Sequence, residues 1–67
     1  MARINRIKIA LVEHDKTGKW LADMLNKDVA TVSRWCSNAA QPSLENLAKA
    51  AKVLDVDIKD LLESTKK

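Results

Sequence analysis

The sequence predicts an all-α protein, a compact bundle of five short helices in a chain of 67 residues. Apolar residues recur at intervals of three and four along most of the chain, the spacing that lines one face of a helix. A single Gly and a single Pro are too few for a turn-rich β fold. Tyr and Phe are absent while 46% of residues are hydrophobic, so the core has to be aliphatic and finely packed. A chain this short removes only about 60% of its unfolded surface from water. Its short helices are marginal in isolation and must be held by packing on one another.

Ile4, Ile7 and Leu11 share one helical stripe and predict a first helix from about Arg3 to His14, with Arg6, Lys8 and Glu13 facing outward. Asp15 to Thr17 interrupt that spacing. Thr17 suits the N-cap of a second helix whose apolar positions are Leu21, Ala22 and Leu25. Asn26 and Lys27 make a turn, and Asp28 is placed to cap a third helix reaching about Cys36, with Val32 and Trp35 facing inward. After the polar loop Ser37 to Gln41 come Pro42 and the N-cap candidate Ser43. The fourth helix follows, with Leu44, Leu47, Ala48, Ala51 and Leu54 on one stripe, the strongest periodic signal in the chain. Asp55 and Val56 turn again, and Asp57 caps a last helix carrying Ile58, Leu61 and Leu62. The expected organisation is a single domain over residues 1–67, with a core from about 3 to 63 and a frayed tail at 64–67.

Composition excludes several classes of function. Cys36 is the lone cysteine, so no intramolecular disulfide can form, and no Cys/His set exists for a structural zinc; a reducing, cytoplasmic setting with no metal or cofactor is expected. No apolar run is long enough to cross a membrane, and Met1 is followed by Arg3, Arg6 and Lys8 rather than by an apolar export segment. Cys36 has no His nearby, His14 is explained by the favourable C-terminal end of the first helix, and Glu13, Asp23 and Asp28 fall on caps and faces that do not converge, so the chain is not expected to be an enzyme. The net charge of +3 is unevenly spread: residues 1–34 hold seven basic and four acidic side chains, residues 35–67 five of each. A polyanionic partner is therefore expected to meet the N-terminal half.

The second and third helices carry the constellation that points to a partner. Ala22 is small enough for the two helices to approach closely, and Asn26 tolerates the left-handed conformation that a tight turn demands. Val32 and Trp35 lock the third helix by its inner face. Its leading and outer positions, Val29, Ala30, Thr31, Ser33 and Arg34, are short side chains apart from one Arg, so the helix can enter a groove about 12 Å wide. That is the physical description of a helix-turn-helix reader of double-stranded DNA.

Four stretches, in order and spacing, resemble the Xre/Cro and phage-repressor family: Thr17-Gly-Lys-Trp-Leu-Ala, Val32-Ser-Arg-Trp, Gln41-Pro-Ser-Leu-Glu-Asn-Leu, and Leu54-Asp-Val-Asp-Ile-Lys-Asp-Leu-Leu. The resemblance runs from about Ile4 to Leu62. It implies a lambda-repressor-like domain of five helices that binds an inverted repeat as a dimer and often represses transcription. Position by position, it implies base contacts from Val29, Ala30 and Arg34, with Thr31 and Ser33 near bases or phosphates. An Arg34 guanidinium gripping guanine O6 and N7 is worth about 1–3 kcal/mol of discrimination, and Val29 or Ala30 can pack on a thymine methyl. Thr17, Gly18 and Lys19 open the second helix where free N–H groups suit a phosphate. Ser37, Asn38 and Gln41 resemble a second phosphate clamp.

The sequence also departs from the family pattern. Gly18 stands where Gln is usual, so only its N–H is offered to phosphate, and lower affinity is expected. Asn26, Asn38 and Asp55 stand where glycine is favoured. Leu11 and Cys36 stand where many members pair an Arg with a Glu, and an apolar contact is expected instead.

Trp35 is read as core. Trp20 lies off the apolar stripe and is read as packing against Met24 or the first helix, or as meeting a partner. Ala50 and Val53 widen the apolar surface of the fourth helix; they either pack beneath the fifth helix or form a dimer seam with Ile58, Leu62 and the loop before the fourth helix. The competing function is a protein-interaction module, such as an antitoxin that neutralises a partner enzyme. No small-molecule effector is expected.

Overall fold

A computed structural model describes residues 3–64, built around α1 (Ile7–Glu13), α2 (Gly18–Leu25), α3 (Val29–Cys36) and α4 (Leu44–Leu54), followed by a single 3-10 turn, Ile58–Leu61. The all-helical expectation holds, but the fifth helix is reduced to that turn. Asp57 and Asp60 form a reciprocal capping box there, and the chain then becomes extended at Leu62.

Each α-helix ends in the same way. Asp15, Asn26, Asn38 and Asp55 follow the four helices with φ between 55° and 63°, and the next residue's N–H reaches back to a carbonyl five residues earlier. These closures run from Lys16 to Leu11 and from Lys27 to Ala22 at 2.8 Å, and from Ala39 to Arg34 and from Val56 to Ala51 at 2.9 Å. They satisfy carbonyls that the helix cannot. The three positions where glycine was displaced in the sequence pattern, Asn26, Asn38 and Asp55, are all left-handed; Asp15 is a fourth.

Helix starts follow the caps in part. Thr17 Oγ1 accepts the Trp20 N–H and Ser43 Oγ accepts the Asn46 N–H, each at 3.1 Å. Asp28 occupies the N-cap of α3 in extended conformation without a side-chain cap bond.

The first helix begins four residues later than its apolar spacing predicts. Residues 3–6 are not helical: Arg6 N–H donates to the Leu61 carbonyl, Glu63 N–H donates to the Ile4 carbonyl, both at 2.8 Å, and Asn5 and Leu62 form an antiparallel bridge. Ile4 is accordingly 53% exposed rather than core. Asn5 Oδ1 accepts the Ile7 N–H at 3.1 Å and starts the helix there.

The core gathers Ile7, Ala10 and Leu11 from α1, Leu21, Ala22 and Leu25 from α2, Val32 and Trp35 from α3, and Leu47, Ala50, Ala51 and Leu54 from α4, closed by Leu61. Two stripe assignments on α4 are corrected: Leu44, its first residue, is 79% exposed and Ala48 is exposed, while Ala50 is fully buried. Ala50 therefore packs inward and is not available to a seam. Of the expected tail, Ser64 is described and residues 65–67 lie outside the described residues.

Candidate nucleic-acid interface

The turn between α2 and α3 is three residues long, and its shape comes from Asn26 at φ 55°, ψ 47°. Fully buried Ala22 and Val32 let the two helices pack closely, and buried Trp35 anchors the far end of α3. The anchored face leaves the opposite one to solvent. Ala30, Ser33 and Arg34 are exposed, Val29 is 47% exposed despite its apolar side chain, and Thr31 is half-buried. No ion pair ties Arg34 to another described residue. Its guanidinium stands on the exposed face of α3 and makes no hydrogen bond with another described residue.

Thr17 caps α2 through Trp20, which leaves the N–H groups of Gly18 and Lys19 without intrahelical acceptors at the positive end of the helix dipole. These residues form one wall of a cleft of about 450 Å³ that runs between α1, the start of α2 and α3. Val29, Ser33 and Ser37 form the facing wall. The structure thus brings candidate phosphate contacts and candidate base contacts to the same opening. It also adds Lys8 and Lys16, which the sequence patterns did not single out; an outward Lys8 on the first helix was the available signal. Lys16 Nζ lies 5.0 Å from the centre of the Trp20 ring, so half-buried Trp20 both packs against the core and holds a cation over its ring.

Leu11 and Cys36 meet the same cleft, Leu11 buried and Cys36 half-buried against the core. Burial pushes the Cys36 thiol above its ordinary pKa, and the nearby Lys8 charge offsets part of that rise. Leu11 and Cys36 both give the cleft apolar lining.

The second clamp is arranged differently from its surface reading. Asn38 is buried, and its Oδ1 accepts the backbone N–H groups of Ile4 and Asn5 at 2.8 and 2.9 Å. Ser37 Oγ donates to the Arg34 carbonyl at 3.2 Å. Exposed Gln41 accepts from Asn5 Nδ2 at 2.7 Å and donates to Asn38 at 3.2 Å, which leaves one amide hydrogen over. The side chains of Ser37 and Gln41 remain at the surface, whereas that of Asn38 builds the loop from inside.

Among the described residues no group of His, Cys, Asp or Glu is placed to hold a metal ion, and no helix is long and apolar enough to cross a membrane.

An anchored helix presenting its outer face beside a cationic cleft defines the class of helix-turn-helix DNA-binding domains. Comparison with known proteins agrees. A helix-turn-helix family profile matches residues 7–61. A candidate DNA-binding protein from Bacteroides fragilis is 48% identical, its structure superimposes with a TM-score of 0.88, and the match covers 90% of this chain and 97% of that one. A transcriptional regulator from Listeria innocua shares the fold at 22% identity and a TM-score of 0.73, over 94% of this chain and 63% of that longer one. No curated protein matches the chain significantly. The chain belongs to the Xre/Cro-type helix-turn-helix family, whose members are DNA-binding regulators rather than enzymes.

Proposed function

We propose that the protein is a sequence-specific transcriptional regulator, acting as a repressor on an inverted repeat, with α3 in the major groove of double-stranded DNA. The observation that carries this reading is the contrast between the two faces of α3: Val32 and Trp35 are locked in the core, and Arg34, with Val29, Ala30 and Ser33, is exposed, with no ion pair from Arg34 to another described residue. Arg34 reads guanine, Val29 and Ala30 contact thymine methyl groups, and Thr31 and Ser33 supplement them. Thr17, Gly18, Lys19, Ser37 and Gln41 hold the flanking phosphates, and Asn38 fixes the loop that carries the last two.

In this reading the domain spans the whole chain and two copies bind together, their recognition helices about 34–36 Å apart, one turn of duplex. Ile58 and Leu62, each still more than a third exposed, supply apolar surface for the seam, whereas buried Ala50 does not. Occlusion of a promoter then follows from occupancy alone.

Selection from a pool of random duplexes at physiological salt tests the proposal. Enrichment of an inverted repeat with half-sites one helical turn apart is expected. Retention without sequence preference, or none, contradicts it and favours the protein-interaction reading.

A further inference from the structure

We propose that the cleft between α1, the N-terminus of α2 and α3 is a binding site for a small organic anion with an apolar body, a carboxylate on an aliphatic chain, and that its occupancy competes with DNA. The competition rests on the functional reading above; the binding site does not.

The cleft combines size, floor and rim in the way such a ligand requires. Its volume of about 450 Å³ falls in the ~300–1,000 Å³ range of small-molecule sites. Leu11, Val12, Val29 and Cys36 give it apolar lining, and Lys8, Lys16 and Lys19 give it three cations with no acidic residue among the lining side chains. A phosphodiester on a duplex surface satisfies the rim but leaves the apolar floor unused. A carboxylate with an aliphatic tail satisfies both, because the tail covers exposed Val12 and Val29 and half-buried Cys36 while the head remains near the lysines.

Gly18 lines the cleft without a side chain. A Cβ at this position would lie 3.8 Å from Val32 Cγ1 and 3.9 Å from Cys36 Sγ, ordinary contact distances, so any longer side chain grows beside the cleft floor. Leu11 and Cys36 keep that floor apolar. Val29, Ser33 and Ser37 belong both to the cleft wall and to the proposed DNA-facing surface, so a ligand seated there occupies space that the duplex needs. This departs from the expectation that the chain answers to no small molecule.

The probe is hexanoate, titrated at neutral pH into the uniformly labelled protein without DNA and followed by amide chemical shifts. Acetate, which lacks the tail, and hexylammonium, which carries the opposite charge, are the controls. Shifts confined to residues around the cleft, with both controls about tenfold weaker, are expected. Val12→Glu changes a residue that is 69% exposed, so the fold is retained, and it sets a like charge at the rim; it should weaken hexanoate about tenfold. Gly18→Leu fills the floor and should do the same. Absent or scattered shifts, equal response to acetate or hexylammonium, or indifference to both variants overturns the site.

A second arm measures duplex retention as hexanoate is added, with acetate at equal concentration to fix ionic strength. Release of duplex at the concentrations that fill the cleft supports the competition; unchanged retention with the cleft filled overturns it. A protein that binds hexanoate at the cleft but retains no duplex sustains the anion site and overturns the DNA reading instead.

Discussion

The side-chain oxygen of Asn38 accepts the Asn5 backbone N–H at 2.9 Å, and the Asn5 carbonyl oxygen accepts from the Asn38 side-chain amide at 3.2 Å, closing a reciprocal pair between residues 33 apart in sequence. The Asn5 side chain continues the connection, donating to the Trp35 carbonyl at 2.9 Å at the end of α3. The N-terminal segment, the C-terminal end of α3 and the loop after it are thereby one hydrogen-bonded unit. Nothing at 3–6 touches α3 in sequence, yet these residues hold its far end in place.

Asn38→Ala removes the acceptor from the buried Asn5 N–H and the part-buried Ile4 N–H and keeps the left-handed backbone, at φ 63°, that a Cβ resists. A loss of about 2–4 kcal/mol in urea unfolding is expected. Asn38→Gly relieves the backbone cost only, so it should be about 1 kcal/mol less damaging than Ala. Equal losses would show that the left-handed geometry contributes nothing there.

Asp55→Gly is expected to stabilise by about 0.5–1 kcal/mol. Asp55 is exposed, sits at φ 57° and places a carboxylate at the negative end of α4. Thermal unfolding at low and high salt checks both parts: the dipole share fades with salt and the conformational share persists.

How far the sequence could be read depends on the range of the interaction. Thr17, Ser43, Asn26 and Asp55 act on groups within five residues, and their residue types announce a cap or a left-handed turn. The start of α1 is set by pairing between 3–6 and 61–63, which no local pattern reveals, and Ile4 fits helical spacing by coincidence. Leu44 has the right period but is the first residue of α4, beyond the reach of the core. At the site, the exposed face of α3 follows from the periodicity. The cleft does not, because Lys8 and Lys16 are brought to it by the packing of α1 against α3.

Gly18→Gln is expected to tighten duplex binding by about tenfold, the value of one added hydrogen bond to a charged group. The new side chain meets only ordinary contacts at its Cβ, so the fold is preserved. Titration of a selected duplex against both proteins at one salt concentration checks it; unchanged affinity would place position 18 away from phosphate.

Burial raises the Cys36 pKa, and the Lys8 charge lowers part of that rise. The folded state therefore favours the neutral thiol. The resulting stability is complete below the thiol's unfolded pKa and is lost as pH rises through the raised folded value. Comparison of wild type with Cys36→Val isolates this from lysine titration: the difference in unfolding free energy should be constant at neutral pH and shift against wild type under alkaline conditions. A difference flat across the whole range contradicts the assignment.

The central claim is that the outer face of α3 reads bases, with Arg34 as its principal reader. The direct measurement is duplex selection carried out in parallel with wild type and Arg34→Ala, a substitution at an exposed position that leaves the core untouched. The account predicts that the wild-type site carries a guanine at one defined position of each half-site, and that Arg34→Ala loses preference there, at a cost of about 1–3 kcal/mol, while the rest of the site persists. The same site selected with the same strength by both proteins would contradict it.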